Sequence, residues 1–227
     1  MAEKTGFNFS LSINCFDVMH LGDVLAAMNE QNVSELLFPI GDGEIAPFMA
    51  GLDMVRQVSA QTTIPCHALL LARHPERHID ACATAGCSTM TISLEASTHQ
   101  HRILSGIRGA GMKSGIAINP ATSLISLDYL LEKADRVCLL GIEPGNDNKE
   151  KATPALVERV KLLTENLRYR ELRTQIMTYS GINIALAGRV LTAGISVLGI
   201  EPEMLWETGE SSTLDAFKKC VAMLQTA

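Results

Sequence analysis

The sequence has no block of lysine and arginine, no Cys-x-x-Cys pair, no low-complexity or linker-like segment, and no apolar run near the about 18 residues of a membrane span. Each absence removes a class of protein. With a net charge of −6 and no basic block, nucleic acid and anionic membranes are poor partners, although a local basic mouth stays compatible with a phosphate. The six cysteines (Cys15, Cys66, Cys82, Cys87, Cys138, Cys220) are scattered, and several sit in apolar runs where cysteine behaves as a small hydrophobe. With no signal-peptide pattern either, this predicts a reduced, cytoplasmic protein. The lack of a linker predicts one domain over residues 1–227.

What is present is a regular alternation. The chain has 227 residues, 47% apolar and 19% charged, enough to bury a full core. Short β-like runs are read near Asn8–Ile13, Glu35–Pro39, Cys66–Leu70, Thr89–Ser93, Gly115–Ile118, Val137–Gly141, Gln175–Tyr179 and Val197–Ile200. Helical patterns follow near Leu21–Gln31, Ala46–Ala60, Pro75–Ala85, His99–Arg108, Leu124–Ala134, Pro154–Arg168, Ile184–Ala193 and Ser212–Gln225. Pro75 and Pro154 suit first helical turns, and Gly86 and Gly194 suit helix stops. Eight strand–helix units at this length predict a (β/α)8 TIM barrel; a doubly wound open sheet would carry fewer units. Thr84-Ala85-Gly86 recurs four units later as Thr192-Ala193-Gly194, a helix stop feeding a strand, which is a packing device.

One pentapeptide is written twice. Leu140-Gly141-Ile142-Glu143-Pro144 returns as Leu198-Gly199-Ile200-Glu201-Pro202, each copy ending an apolar run with an acid and a proline. These read as the C-terminal ends of buried parallel strands, where barrels of this kind carry their chemistry. The same logic singles out Ser12 and Asn14, Pro39 to Gly43, His67 and Leu69, Ser93 and Glu95, Asn119 and Tyr179.

Taken together, these strand ends resemble the ribulose-phosphate 3-epimerase family. The motifs are Ile40-Gly41-Asp42-Gly43 with Ala46-Pro47, His74-Pro75-Glu76-Arg77-His78-Ile79, Leu94-Glu95-Ala96, Gly115-Ile116-Ala117-Ile118-Asn119-Pro120-Ala121-Thr122, Glu143-Pro144-Gly145 and Ser180-Gly181-Ile182-Asn183. Their order and spacing run through nearly the whole chain. The resemblance implies a ribulose-phosphate-binding barrel, a homo-oligomer, and proton transfer at C3 of a ketose phosphate through an enediolate held by a divalent metal. It also implies a ligand set of two histidines and two aspartates. Here those positions fall on Leu37 and Pro39 of the second strand, Leu69 of the third and Tyr179 of the seventh. None is a usual metal ligand. The expectation is therefore no metal and no other cofactor.

The phosphate cradle implied by the family is altered as well. Gly145-Asn146-Asp147-Asn148-Lys149 stands in place of a glycine-rich loop, Ser180-Gly181 keeps half of a glycine pair, and Glu201-Pro202 replaces a Gly-Ser. Proline removes a donor and glutamate adds a like charge, so the usual phosphate is not expected there. Tyr179 and His67 are the candidate acid/base pair. Candidate ligand contacts are Ser12, Asp42, Ser93, Asn119, Glu143, Ser180, Gly181 and Glu201. Asp42-Gly43 also suits a turn, Asn119 a strand end, Asp17 a structural contact, and Arg73 an exposed loop position. Three functions fit: a metal-free epimerase or isomerase of a sugar or sugar derivative, a lyase reusing the same mouth, or a non-catalytic homologue binding a metabolite or protein.

Overall fold

Alternation along each strand decides what faces where. In the computed structural model, which describes residues 8–17, 19, 21–28, 33–47, 51–146 and 151–226, eight parallel strands close a barrel in chain order. They are β1 (Asn8–Ser12), β2 (Val33–Gly41), β3 (Cys66–Leu71), β4 (Cys87–Ser93), β5 (Lys113–Ile118), β6 (Arg136–Leu140), β7 (Gln175–Tyr179) and β8 (Val197–Ile200). Pairing of Asn8–Leu11 with Val197–Ile200 closes the ring. One set of alternate residues, including Leu11, Phe38, Leu70, Ile92, Ile116 and Leu139, packs between sheet and helices. The other set, including Leu37, Leu69, Ala117, Cys138 and Met177, fills the barrel. Strands buried on both faces read as continuous apolar runs, which is why the sequence shows them.

The helices are α1 (Leu21–Met28), α2 (Leu52–Ser59), α3 (Ile79–Thr84), α4 (Gln100–Gly109), α5 (Ala155–Tyr169), α6 (Ile184–Ala193), α7 (Pro202–Trp206) and α8 (Thr213–Thr226). Two differences from expectation matter. The segment expected as a fifth helix, Leu124–Ala134, forms only a 3₁₀ turn at Leu124–Leu127 and further turns. Its leucines at 124, 127 and 130 are spaced by three, which suits 3₁₀ geometry. The short α7 was not expected. The expected helix ends at Gln31, and the stretch 48–50 of the helix expected at Ala46–Ala60, lie outside the described residues.

At the N-terminal end the barrel interior is polar. Glu35 of β2 accepts from Ser10 Oγ at 2.7 Å and from the Arg136 guanidinium of β6, while Arg136 Nη2 reaches Gln175 Oε1 at 3.0 Å. His67 Nδ1 lies 2.9 Å from Glu35 Oε1, and its Nε2 lies 2.7 Å from Thr91 Oγ1. A neutral ring protonated on Nδ1 donates to the carboxylate and accepts from the threonine; Arg136 Nη1, 3.1 Å from Nδ1, then donates to the acceptor the two share, Glu35 Oε1, and not to the ring. The candidate acid/base role of His67 is corrected by this. The ring is wholly buried in the barrel floor, with Leu69 and Leu71 of the same strand between it and the mouth.

The floor network fixes a pH dependence. Burial pushes the Glu35 carboxyl up, but His67 and Arg136 outweigh it and hold it well below the usual range. Burial, helped by the Arg136 charge, lowers His67 against the pull of Glu35. Both shifts have the same sign: the unfolded chain binds protons on His67 below its ordinary pKa of 6.5 and on Glu35 below 4.5, where the folded chain resists them. This contribution to stability is full above that upper value and is lost as the pH falls. Glu201, whose carboxyl is raised to about 7, contributes with the opposite sign over the same range. In a Glu201→Gln background, urea midpoints measured from about pH 8 to pH 4 should therefore decline steadily, and a flat profile there would contradict the assignment. Arg136→Met strands the Glu35 charge and should cost about 3–5 kcal/mol.

Candidate active site

Above the floor the interior turns apolar. Leu37, Leu69, Cys138 and Met177 fill the middle, and Leu71, Leu140 and Tyr179 pack under Ala46 of the β2–α2 loop. The positions that the family resemblance assigns to metal ligands are part of this filling: Leu37 and Leu69 are fully buried, and Tyr179 is 5% exposed. Aliphatic carbon, a proline ring and a phenol do not fit a divalent ion that takes imidazole and carboxylate. Among the described residues no group of three or more His, Cys, Asp or Glu side chains comes together to hold one elsewhere.

A cleft of about 310 Å³ opens at the C-terminal mouth, as barrel architecture dictates. Asn14, Pro39 and Leu71 line one side; Glu143, Tyr179 and Glu201 line the other. A wider groove of about 770 Å³ continues past Glu201 to Lys151, Asn183 and the exposed Trp206. Tyr179 ends β7, and its ring lies against β8 where Gly199 carries no side chain: a Cβ there would stand 2.6 Å from Tyr179 Cδ2. The phenol meets the Glu201 carboxyl and lies 3.5 Å from Ser12 Oγ.

Glu201 is held from the other side by backbone. Ser180 and Gly181 both have positive φ (75° and 71°), and the Gly181 N–H donates to Glu201 Oε2 at 2.8 Å. Glycine takes this conformation freely; Ser180 takes it at a cost, a form of strain that clusters at functional sites. One turn further on, Glu207 Oε2 accepts from the Ile184 N–H of α6 at 3.0 Å. Backbone donors of this kind, in a turn and at a helix start, are anion sites, and here the chain's own carboxylates occupy them. Burial first, then the charge of Glu203, raises Glu201 to about 7 against the Gly181 and Tyr179 hydrogen bonds. Burial, followed by the Glu201 charge, pushes the Tyr179 phenol well above its ordinary value.

The structure thus gathers Ser12, Glu143, Tyr179, Ser180, Gly181 and Glu201 at the mouth. It does not bring the other candidates there. Ser93 donates to Glu95 Oε2 at 2.9 Å, and the Asn119 N–H donates to Glu95 Oε1 at 2.8 Å, so both belong to the β4–β5 corner. Asp42 ties the β2–α2 loop by accepting from the N–H groups of Glu44, Ile45 and Arg73 at 2.7–2.9 Å. Arg73 pairs with Glu44 at 2.7 Å, and Asp17 accepts from the Met19 N–H at 3.0 Å. Asn14, singled out at the end of the first strand, lines the cleft; Glu203 and Trp206 line the two openings but were not singled out in the sequence, and both lie on the unexpected α7. Of the Gly145–Lys149 loop, Gly145 and Asn146 line the cleft, and Asp147, Asn148 and Lys149 lie outside the described residues.

Comparison with known proteins agrees with the architecture. The sequence model of the ribulose-phosphate 3 epimerase family matches residues 8–202. A ribulose-phosphate 3-epimerase of Rhodobacter capsulatus is 28% identical over 217 residues, covering 95% of this chain and 93% of that one. Its counterpart from Rhodospirillum rubrum is 31% identical over 164 residues, 72% of each chain. Among solved structures, a mutant tryptophan synthase α-subunit from Pyrococcus furiosus superposes with a TM-score of 0.68 at 14% identity, over 98% of both chains. Phosphoribosyl anthranilate isomerase from Thermus thermophilus gives 0.68 at 15% identity, over 97% of this chain and 99% of its own. These two likenesses are of fold.

The wall of the cleft depends on Asp42, because the loop it ties carries Ala46 and Pro47 over the mouth. Asp42→Ala leaves three backbone N–H groups without their acceptor and should destabilise the protein by about 1–2 kcal/mol, read as a lowered urea midpoint.

Proposed function

Because the chain belongs to the ribulose-phosphate 3-epimerase family, we propose that it is a proton-transfer enzyme of epimerase or isomerase type, acting without a divalent metal on a small, uncharged sugar or sugar derivative. The observation that carries this reading is the Glu201 carboxyl in the mouth cleft, poised near neutrality and in contact with the Tyr179 phenol. A general base works best when its pKa lies near the working pH, and a neighbouring phenol kept protonated is a ready acid for a substrate oxygen. Tyr179 therefore keeps the candidate acid/base role, and Glu201 takes the place of His67 beside it.

The uncharged substrate follows from the same carboxylates. An anionic group approaching the Gly181 N–H finds Glu201 already bound there, and at the start of α6 it finds Glu207. Glu143 and Glu203 add further negative charge to the lining, and like charges at close range disfavour a phosphate. One feature favours a second reading, a non-catalytic metabolite-binding homologue: the floor of the cleft is Leu71 and Leu140, which offer a substrate contact but no chemistry.

Exchange of the carbon-bound protons of unphosphorylated ketoses in D2O, followed by NMR, tests the proposal. Exchange is expected, with kcat/KM rising with pH through about 7 because the base is the carboxylate form. Glu201→Gln should lower it about 100-fold or more, Tyr179→Phe should also lower it, and a chelator should leave it unchanged. A metal requirement, or exchange indifferent to Glu201, would refute the reading; no exchange with any ketose would favour the non-catalytic homologue.

A further inference from the structure

Among the described residues, the titratable groups that line the mouth cleft all lie on one arc. Glu143 follows β6, Tyr179 ends β7, and Glu201 and Glu203 follow β8. Across the cleft, the described lining from β1 to β3 consists of Asn14, Pro39, Pro47 and Leu71, none of which takes up or gives a proton near neutral pH. Ser12 lies buried beneath, behind Tyr179.

This asymmetry restricts the stereochemistry. To invert a carbon centre, the proton must leave from one face and a proton must return from the other, which takes acid/base groups on both sides of the bound intermediate. An intermediate seated between these two arcs presents one face to Glu201 and the other to Pro39 and Leu71. A single carboxyl on one face cannot invert that centre, but it can carry a proton to the neighbouring carbon on the same face.

We propose that the mouth catalyses a one-sided 1,2-proton shift in an uncharged α-hydroxy aldehyde or ketone, interconverting aldose and ketose, in place of inversion at a single carbon. The proposal rests on the reading of the cleft as an acid/base site. In the first half, Glu201 takes the proton from the hydroxyl-bearing carbon. The C–H electron pair becomes the C=C bond of an enediol, and the carbonyl oxygen receives the Tyr179 phenolic proton. Neutralising Glu201 removes the like charge beside the phenolate, which is the second cause of its raised pKa; burial, the first, still opposes the phenolate and drives it to take up a proton again in the second half. In the second half, the phenolate takes the proton of the other enediol hydroxyl. That carbon becomes the carbonyl, and the C=C pair captures the proton held by Glu201 at the former carbonyl carbon. One C–H bond breaks, one forms on the adjacent carbon, and no oxidant, reductant or co-reactant is consumed.

The test uses the full chain with a panel of unphosphorylated aldopentoses and aldohexoses deuterated at C2, together with the matching ketoses, and identifies products by NMR and chromatography. Expected is aldose–ketose interconversion, with deuterium from C2 appearing in part at C1 of the ketose and the rate falling about 100-fold or more in Glu201→Gln. Folding of that variant is checked by its urea midpoint. A sugar inverted at one carbon with a solvent proton installed there, still dependent on Glu201, would overturn this inference while leaving the acid/base reading standing. Absence of exchange at any carbon across the panel would overturn both.

Discussion

The buried contact between Glu35 and Arg136 is the constraint on which the barrel is built. It crosses the interior from β2 to β6, and through Ser10, His67, Thr91 and Gln175 it also engages β1, β3, β4 and β7. The Glu35 charge is tolerable there because Ser10, His67 and Arg136 converge on it, although the buried Arg136 Nε–H finds no partner among the described residues; these bonds dictate how far apart those strands stand. Everything above it is stacked upon that cross-section: first aliphatic side chains, then Tyr179, then the cleft. The expected acid/base histidine belongs to this foundation, and its chemistry is spent on cohesion.

Much of the fold was legible because a parallel barrel strand is buried on both faces and writes itself as an apolar run. Val137–Leu140 and Val197–Ile200 could hardly be read otherwise. The segment after β5 misled because leucines every third residue serve a 3₁₀ turn as well as one face of an α-helix. The polar floor was illegible for a different reason. Glu35, His67 and Arg136 stand far apart in the chain; Glu35 and Arg136 look like ordinary residues near the start of a strand, and His67 reads as a candidate acid/base group. Only closure of the barrel brings them to one point.

The mouth was half legible. Strand order located Tyr179, Ser180, Gly181, Glu143 and Glu201 at one end, and the family resemblance flagged Leu37, Pro39, Leu69 and Tyr179 as substitutions at metal-ligand positions. What the letters could not convey is that Glu201 folds back onto the Gly181 N–H. A replacement that read as loss of a phosphate contact is also the gain of an internal anion. Ser93, Asn119 and Asp42 sit at equally promising positions, but Ser93 and the Asn119 N–H bond Glu95, and Asp42 accepts from its own loop. Position at a strand end identifies the rim of the barrel, and hydrogen bonding then decides which rim residues are free to act.

The repeated pentapeptide acquires a meaning of another kind. In its second copy the glycine is the space into which the Tyr179 ring fits, and even a methyl group at 199 would collide with that ring. The ring is not the sole reason for the glycine. A Cβ at 199 would also stand 2.9 Å from the Thr178 carbonyl oxygen, a backbone atom that cannot turn aside. Exchanging the tyrosine for a small acid on β7 would therefore leave position 199 still closed to side chains, whereas any change at 199 would disturb the ring and the neighbouring strand together. The constraint runs one way: the glycine can outlive the tyrosine, and the tyrosine in this pose cannot outlive the glycine.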